Sequence, residues 1–132
     1  MAVIELRRKS RGSRVAGEKS DIRVYVTGSR RKPSTRLNLG VRLSEAVLKR
    51  VRWLEGDSVT LDYDESSDIW TMRRVTDNSG NSLSQQGKSG PDLTVRYAIE
   101  PGHVSQFGLN LHTGADCDVI DVIENAVLFR RR

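Results

Sequence analysis

Alternation of apolar and polar residues with period two marks most of this chain and predicts short, half-buried strands. The pattern runs through Ile22-Val24-Val26, Leu37-Leu39-Val41-Leu43, Ser58 to Tyr63, Ile69 to Val75 and Leu93 to Ile99. It returns at Asp118 to Ile123 and Ala126 to Arg132, and Met1 to Leu6 reads as one more short strand. After Pro101-Gly102 breaks the pattern, Val104 to Leu111 reads as a further strand. One segment changes period. Leu43, Val47, Val51 and Leu54 recur at helical spacing, with Ser44 as N-cap, Glu45 in the first turn and Gly56 as the stop. Trp53 lies off that stripe, either as a lid over the helix edge or as an aromatic facing a partner.

The breaks between runs predict how the strands connect. Gly28 to Arg36 holds Gly, Pro and Ser, so the first two strands form a hairpin whose tip packs near the helix. Asp64-Glu65-Ser66-Ser67-Asp68 turns a second hairpin, and Glu124-Asn125 a third. Residues 77–91 are almost all loop formers and read as a linker or long loop. The expected organisation is a basic arm over 1–20, a hairpin–helix–hairpin unit over 21–76, the linker, and a second β unit over 92–132 packing on the first. The fold class is mainly β with one short helix, a β-barrel or swapped-hairpin arrangement, with room for two pseudo-repeated halves.

An internal echo supports the duplication. GDSVTLDYDESSDIWTMRR at Gly56–Arg74 resembles ADCDVIDVIENAVLFRR at Ala115–Arg131, and Leu37-Asn38-Leu39 resembles Leu109-Asn110-Leu111. The second copy shows no evident helix.

Charge sharpens the functional picture. The chain of 132 residues carries a formal net charge of +5, unevenly spread. Residues 1–56 contain 15 Lys/Arg and 5 Asp/Glu, a net of +10, against 7 and 12 over 57–132, a net of −5. Such polarity favours a polyanionic partner. The hairpin tip supplies Arg30, Arg31, Lys32 and Arg36, with Ser34 and Thr35 as hydroxyl donors to phosphate. The alternative for the tip is a solvated turn whose charges discourage edge pairing. Arg7, Arg8, Lys9, Arg11 and Arg14 make the N-terminal arm either a phosphate-tracking segment or an ordinary solvated terminus. Lys49, Arg52, Arg73 and Arg74 are the remaining candidates. Arg130-Arg131-Arg132 would join Arg73-Arg74 if the hairpins end on the same face. No aromatic interrupts the basic tip, which argues against a stacking platform for single strands.

Arg36 to Val75 resembles the AbrB/SpoVT type of swapped-hairpin DNA-binding domain. The resemblance lies in a strand leading into a short helix (Arg42-Leu43-Ser44 through Leu54), then Gly56-Asp57, then a hairpin ending in basic residues. In that family two copies interleave into a small β-barrel, and arginines on exposed loops and strands contact DNA. The resemblance implies a tandem or dimeric barrel and a role in transcription regulation. This chain departs from the pattern in its longer loop Ser29–Arg36 and in carrying Leu43-Ser44 where the family has a proline.

Signatures of catalysis are missing. No phosphate-cradling loop, GxSxG, HExxH or paired CxxC is present, and no enzyme, cofactor or metal is expected. Cys117, with His103, His112 and Asp116, is the one group capable of nucleophilic or metal chemistry; a small core residue is the plainer reading of a lone cysteine. Asp62, Asp64, Glu65 and Asp68 read as a solvated turn rather than a cation loop. A single cysteine, no signal peptide and no apolar run of membrane length predict a soluble cytoplasmic protein. The expected function is non-enzymatic binding of double-stranded DNA, with RNA and a homodimer left open. The alternative is a small interaction module, a regulator or inhibitor, that meets an acidic protein surface through Trp53 or Trp70.

Overall fold

A computed structural model describes residues 20–28, 37–85, 90–110 and 113–132. The expected strand at Met1–Leu6, the arm residues Arg7 to Arg14, the tip residues Arg30 to Arg36, and His112 lie outside them.

Every alternating run within the described residues, except one, is a strand. The elements are β1 (Ile22–Gly28), β2 (Leu37–Leu43), α1 (Glu45–Val51), β3 (Ser58–Asp64), β4 (Ile69–Val75), β5 (Asn81–Ser82), β6 (Leu93–Ile99), α2 (Pro101–Gln106), β7 (Gly114–Ile123) and β8 (Ala126–Arg131). The strands form one antiparallel sheet in the order β5-β3-β4-β8-β7-β1-β2-β6. A bridge between Ser84 and Thr94 brings the two edges together, so the sheet nearly closes into a barrel. Closure removes the exposed edges that invite aggregation. Aliphatic residues fill the interior, led by Ile22, Val24, Val26, Leu39, Val41 and Leu43, around Trp70 stacked on Phe129.

Three expectations need correction. The expected strand Val104–Leu111 is not formed over its described part, 104–110, because Pro101 opens α2 and the His103 Nδ1 accepts the Glu100 backbone N–H at 3.2 Å. The helix at 45 is shorter than its apolar stripe suggests. Ser44 caps its start, accepting the Val47 N–H at 3.4 Å, but Arg52 already adopts the left-handed conformation that ends it. Gly56 therefore lies in the turn beyond, Leu54 is 71% exposed, and Trp53 turns inward at 2% exposure. The stretch 77–91, read as a loop, also contributes β5, the Ser84 bridge and the buried Leu83.

The halves are related by an approximate two-fold. Leu37 and Leu93, which open β2 and β6, are 56 residues apart, as are Glu45 and Pro101 at the helix starts. Ile69 and Ala126, which open β4 and β8, are 57 apart, and Val59 and Cys117, opposite Arg74 and Arg131 in their hairpins, are 58 apart. Pairs of equivalent residues face each other on the axis, Gly40 with Arg96 in β2–β6 and Thr71 with Leu128 in β4–β8. The sequence echo matches Arg74 to Arg131 in register, whereas its pairing of Leu37-Asn38-Leu39 with Leu109-Asn110-Leu111 is out of register. Leu37–Leu39 corresponds to Leu93–Val95, and the helix that seemed missing from the second copy is α2. Gly40 has a further reason to be glycine: a Cβ there would overlap the ring of Tyr25 in the neighbouring strand.

Candidate nucleic-acid interface

Strand directions sort the basic candidates between the two ends of the barrel. Ser20, Leu43, Val75 and the β7–β8 tip lie at one end with α1. Gly28, Leu37, Ile69 and Arg131 lie at the other with α2. β1 and β2 pair in register out to Gly28 opposite Leu37, so residues 29–36 leave from and return to the α2 end. Asp21, at the start of the described chain, lies beside α1, where its C=O accepts the Ser44 N–H at 3.0 Å. Gly28 and Leu37, the described residues that flank 29–36, therefore lie at the end opposite Lys49, Arg52 and Arg74, roughly 20 Å away for seven-residue strands.

At the α1 end, Lys49 is exposed and pairs with Glu45 one turn earlier, Nζ to Oε2 3.6 Å. Arg52 is exposed at the helix C-cap with φ 64°. Arg73 and Arg74 do not act together. Trp70 and Met72 point into the barrel, so Arg74 shares their side and Arg73 faces outward. Arg74 reaches the β7–β8 tip, its backbone N–H donating to Asn125 C=O at 2.8 Å and its Nη2 to Asn125 Oδ1 at 3.1 Å.

Arg52 and Arg74 meet in a cleft of about 490 Å³ bounded by Arg50, Val51, Val122, Ile123, Glu124 and Asn125. Arg50 did not figure among the sequence candidates. Its signal was available, since positions 50 and 52 flank the last helical residue and point off the buried side set by Val47 and Leu48. Among the described residues, no carboxylate lies within ion-pair distance of Arg50, Arg52, Arg73 or Arg74.

Other arginines are occupied. Arg23 Nη1 lies 2.8 Å from Asp116 Oδ1, which also accepts the Ser20 hydroxyl at 2.9 Å. Those two contacts hold the Asp116 carboxyl below its ordinary range, the Ser20 hydrogen bond foremost. Arg132 pairs with Asp118 at 2.9 Å, and Arg42 with Asp92 at 3.8 Å. Arg130–Arg132 cannot extend the Arg73-Arg74 surface, because β4 and β8 are antiparallel, with Ile69 opposite Arg130 and Arg73 opposite Ala126.

The α2 end is acidic where it is described. Asp64 accepts the Ser66 hydroxyl and N–H, which hold its carboxyl low. Asp68 is bound by Arg131. A cleft of about 370 Å³ lies between α2 and the sheet, lined by Tyr63, Trp70, Tyr97, His103 and Phe107.

Cys117 is fully buried in β7, and desolvation pushes its thiol up to about 12, so it remains a protonated packing residue at neutral pH. Among the described residues, no three His, Cys, Asp or Glu side chains gather as a metal site. No helix among them is long and apolar enough to cross a membrane. Trp53 and Trp70 are both buried, each at the wall of a cleft. Comparison with protein-family models, curated proteins and solved structures finds no match for this chain.

Proposed function

We propose that this protein binds double-stranded DNA without catalysing a reaction, chiefly through phosphate contacts from the α1 end of the barrel. The observation that carries this reading is the convergence of basic segments there. Lys49, Arg50, Arg52 and Arg74 stand on that end, and so does Asp21, which Arg7, Arg8, Lys9, Arg11 and Arg14 precede in sequence. A role in transcription regulation is the biological setting that the AbrB/SpoVT resemblance implies. One chain supplies both barrel halves, so the binding unit we propose is a monomer. Arg30, Arg31, Lys32 and Arg36 are proposed as a second set of phosphate contacts.

Anisotropy titrations with a duplex, a matched RNA duplex and a neutral polymer test the reading across rising salt. With about six phosphate contacts, affinity should fall on the order of a thousandfold between 50 and 200 mM salt. Binding no tighter than to the neutral polymer, or no salt dependence, overturns it. Preference for the RNA duplex redirects it.

A further inference from the structure

The two-fold makes each corner of the barrel a control for the other. In the second half, Arg131 fills the corner between the end of α2 and the β3–β4 tip. Its Nη2 donates to Asp68 Oδ1 at 2.7 Å and to Phe107 C=O at 2.8 Å, and its Nη1 to Gly108 C=O at 2.9 Å. Its Nε reaches Asp68 Oδ2 at 3.3 Å. Four of the five guanidinium N–H donors are engaged and the corner is closed. A Cβ on Gly108 would lie 2.8 Å from Arg131 Nη1, so the closure also depends on that glycine.

The first half repeats this backbone with different side chains. Arg74 lies 57 residues before Arg131, and Asn125 57 after Asp68; Asn125 and Asp68 share left-handed φ values of 61° and 57°. Arg52 lies 56 before Gly108, with φ 64° against 68°. Arg50 likewise corresponds to Gln106. Where the second half has one arginine neutralised by one aspartate, the first has three arginines, with Glu124 at the rim in place of Ser67.

Each exchange suits an anion. Replacing Asp68 by Asn125 removes the carboxylate that would compete for the Arg74 guanidinium. Because Asn125 Oδ1 faces Arg74 Nη2, its Nδ2 is left as a donor toward an incoming oxygen. Replacing Gly108 by Arg52 puts a side chain where the twin corner has no room. Arg50, Arg52 and Arg74 then bound one cleft from two elements, and guanidinium forks match phosphate geometry. We infer that this cleft is a discrete site for one backbone phosphate of the bound DNA. The site deepens the DNA-binding reading and rests on it.

The test gives the open corner its twin's residues, in the full chain. Asn125→Asp keeps the left-handed backbone, since Asp68 already adopts it, and leaves all three arginines in place. Arg50→Gln with Arg52→Gly makes the second variant, and Arg130→Gln, away from the cleft, is the control. Both corner variants should weaken duplex binding by about tenfold at 0.1 M salt and lower the salt slope by about one. Thermal melts confirm that they fold. Parental affinity and slope in both variants overturn the site while leaving DNA binding intact. A parent that does not bind DNA overturns the functional reading, and NMR of the arginine Nε–H groups with inorganic phosphate at fixed ionic strength then judges the cleft alone. Shifts at Arg50, Arg52 and Arg74 that Asn125→Asp abolishes keep it as an anion site; their absence overturns it.

Discussion

The closed corner at Arg131 and the open corner at Arg74 share a backbone and differ in what their side chains are for. At the closed corner the arginine satisfies two helix-end carbonyls and a carboxylate, so its hydrogen bonds belong to the fold. At the open corner the guanidinium at the same position hydrogen-bonds the Asn125 amide, and two more cations stand at the C-terminus of α1. Duplication within one chain makes such divergence possible. In a symmetric dimer both corners would carry the same residues, whereas a tandem barrel can keep one for stability and release the other for binding.

The largest test concerns what the corners share. Trp70 and Phe129 are cross-strand neighbours on the β4–β8 seam, with rings 6.3 Å apart and nearly parallel. Phe129→Ala should cost about 3–5 kcal/mol, read by chemical denaturation. A single transition seen alike by fluorescence and circular dichroism would show that the halves unfold together. Two separated transitions would make the corners independent structures, and the comparison between them would lose its force.

Next in size is the contrast between the arginines themselves. Arg131→Met removes four hydrogen bonds, leaving two carbonyls without their side-chain donor and Asp68 with the Tyr63 hydroxyl alone. With the pair partly exposed (26% and 35%), the cost should be about 2 kcal/mol. Arg74→Met should stay within about 0.5 kcal/mol in the same denaturation series. Equal losses would mean that both corners hold the fold.

Acid should separate the corners as well. The Arg131 hydrogen bonds, ahead of the Tyr63 hydroxyl at 2.6 Å, hold the Asp68 carboxyl below its ordinary value. A carboxyl lowered in the folded state adds stability that is present above its unfolded pKa of about 3.9 and is lost as pH falls through the folded value. Asp68→Asn, which gives the closed corner the amide of the open one, should therefore destabilise near neutrality and matter progressively less below about pH 4. Melts across that range check it, and a pH-independent penalty would assign the effect to packing instead.

The strands were legible because period-two alternation reports directly which residues face a barrel interior. Ile22, Val24 and Val26 and their partners in β2 follow it without exception. The second helix was not, since Pro-Gly-His-Val-Ser-Gln has no apolar stripe and forms through its proline and its cap. Misreading it as a strand also hid the 56-residue period. The basic character of the first half was visible, but its partition between two ends depends on strand direction, which composition does not carry. Arg50 is legible as an exposed helix cation, but only the fold brings it to Arg74 and the β7–β8 tip.

The smallest expected effect lies at Arg52, where stability and binding should move in opposite directions. A non-glycine residue at φ 64° is strained, and its twin Gly108 occupies φ 68° without that cost. The Arg52 N–H still closes the helix by donating to Leu48 C=O at 2.8 Å, a bond that glycine would keep. Arg52→Gly alone should therefore raise stability by about 0.5–1 kcal/mol while weakening duplex binding. The added freedom of glycine in the unfolded chain offsets part of the gain, so the rise should sit toward the lower end of that range. Paired denaturation and anisotropy measurements on one preparation check both signs. If the variant gains stability and keeps full affinity, the arginine at this strained position has no binding role, and the open corner reduces to Arg50 and Arg74.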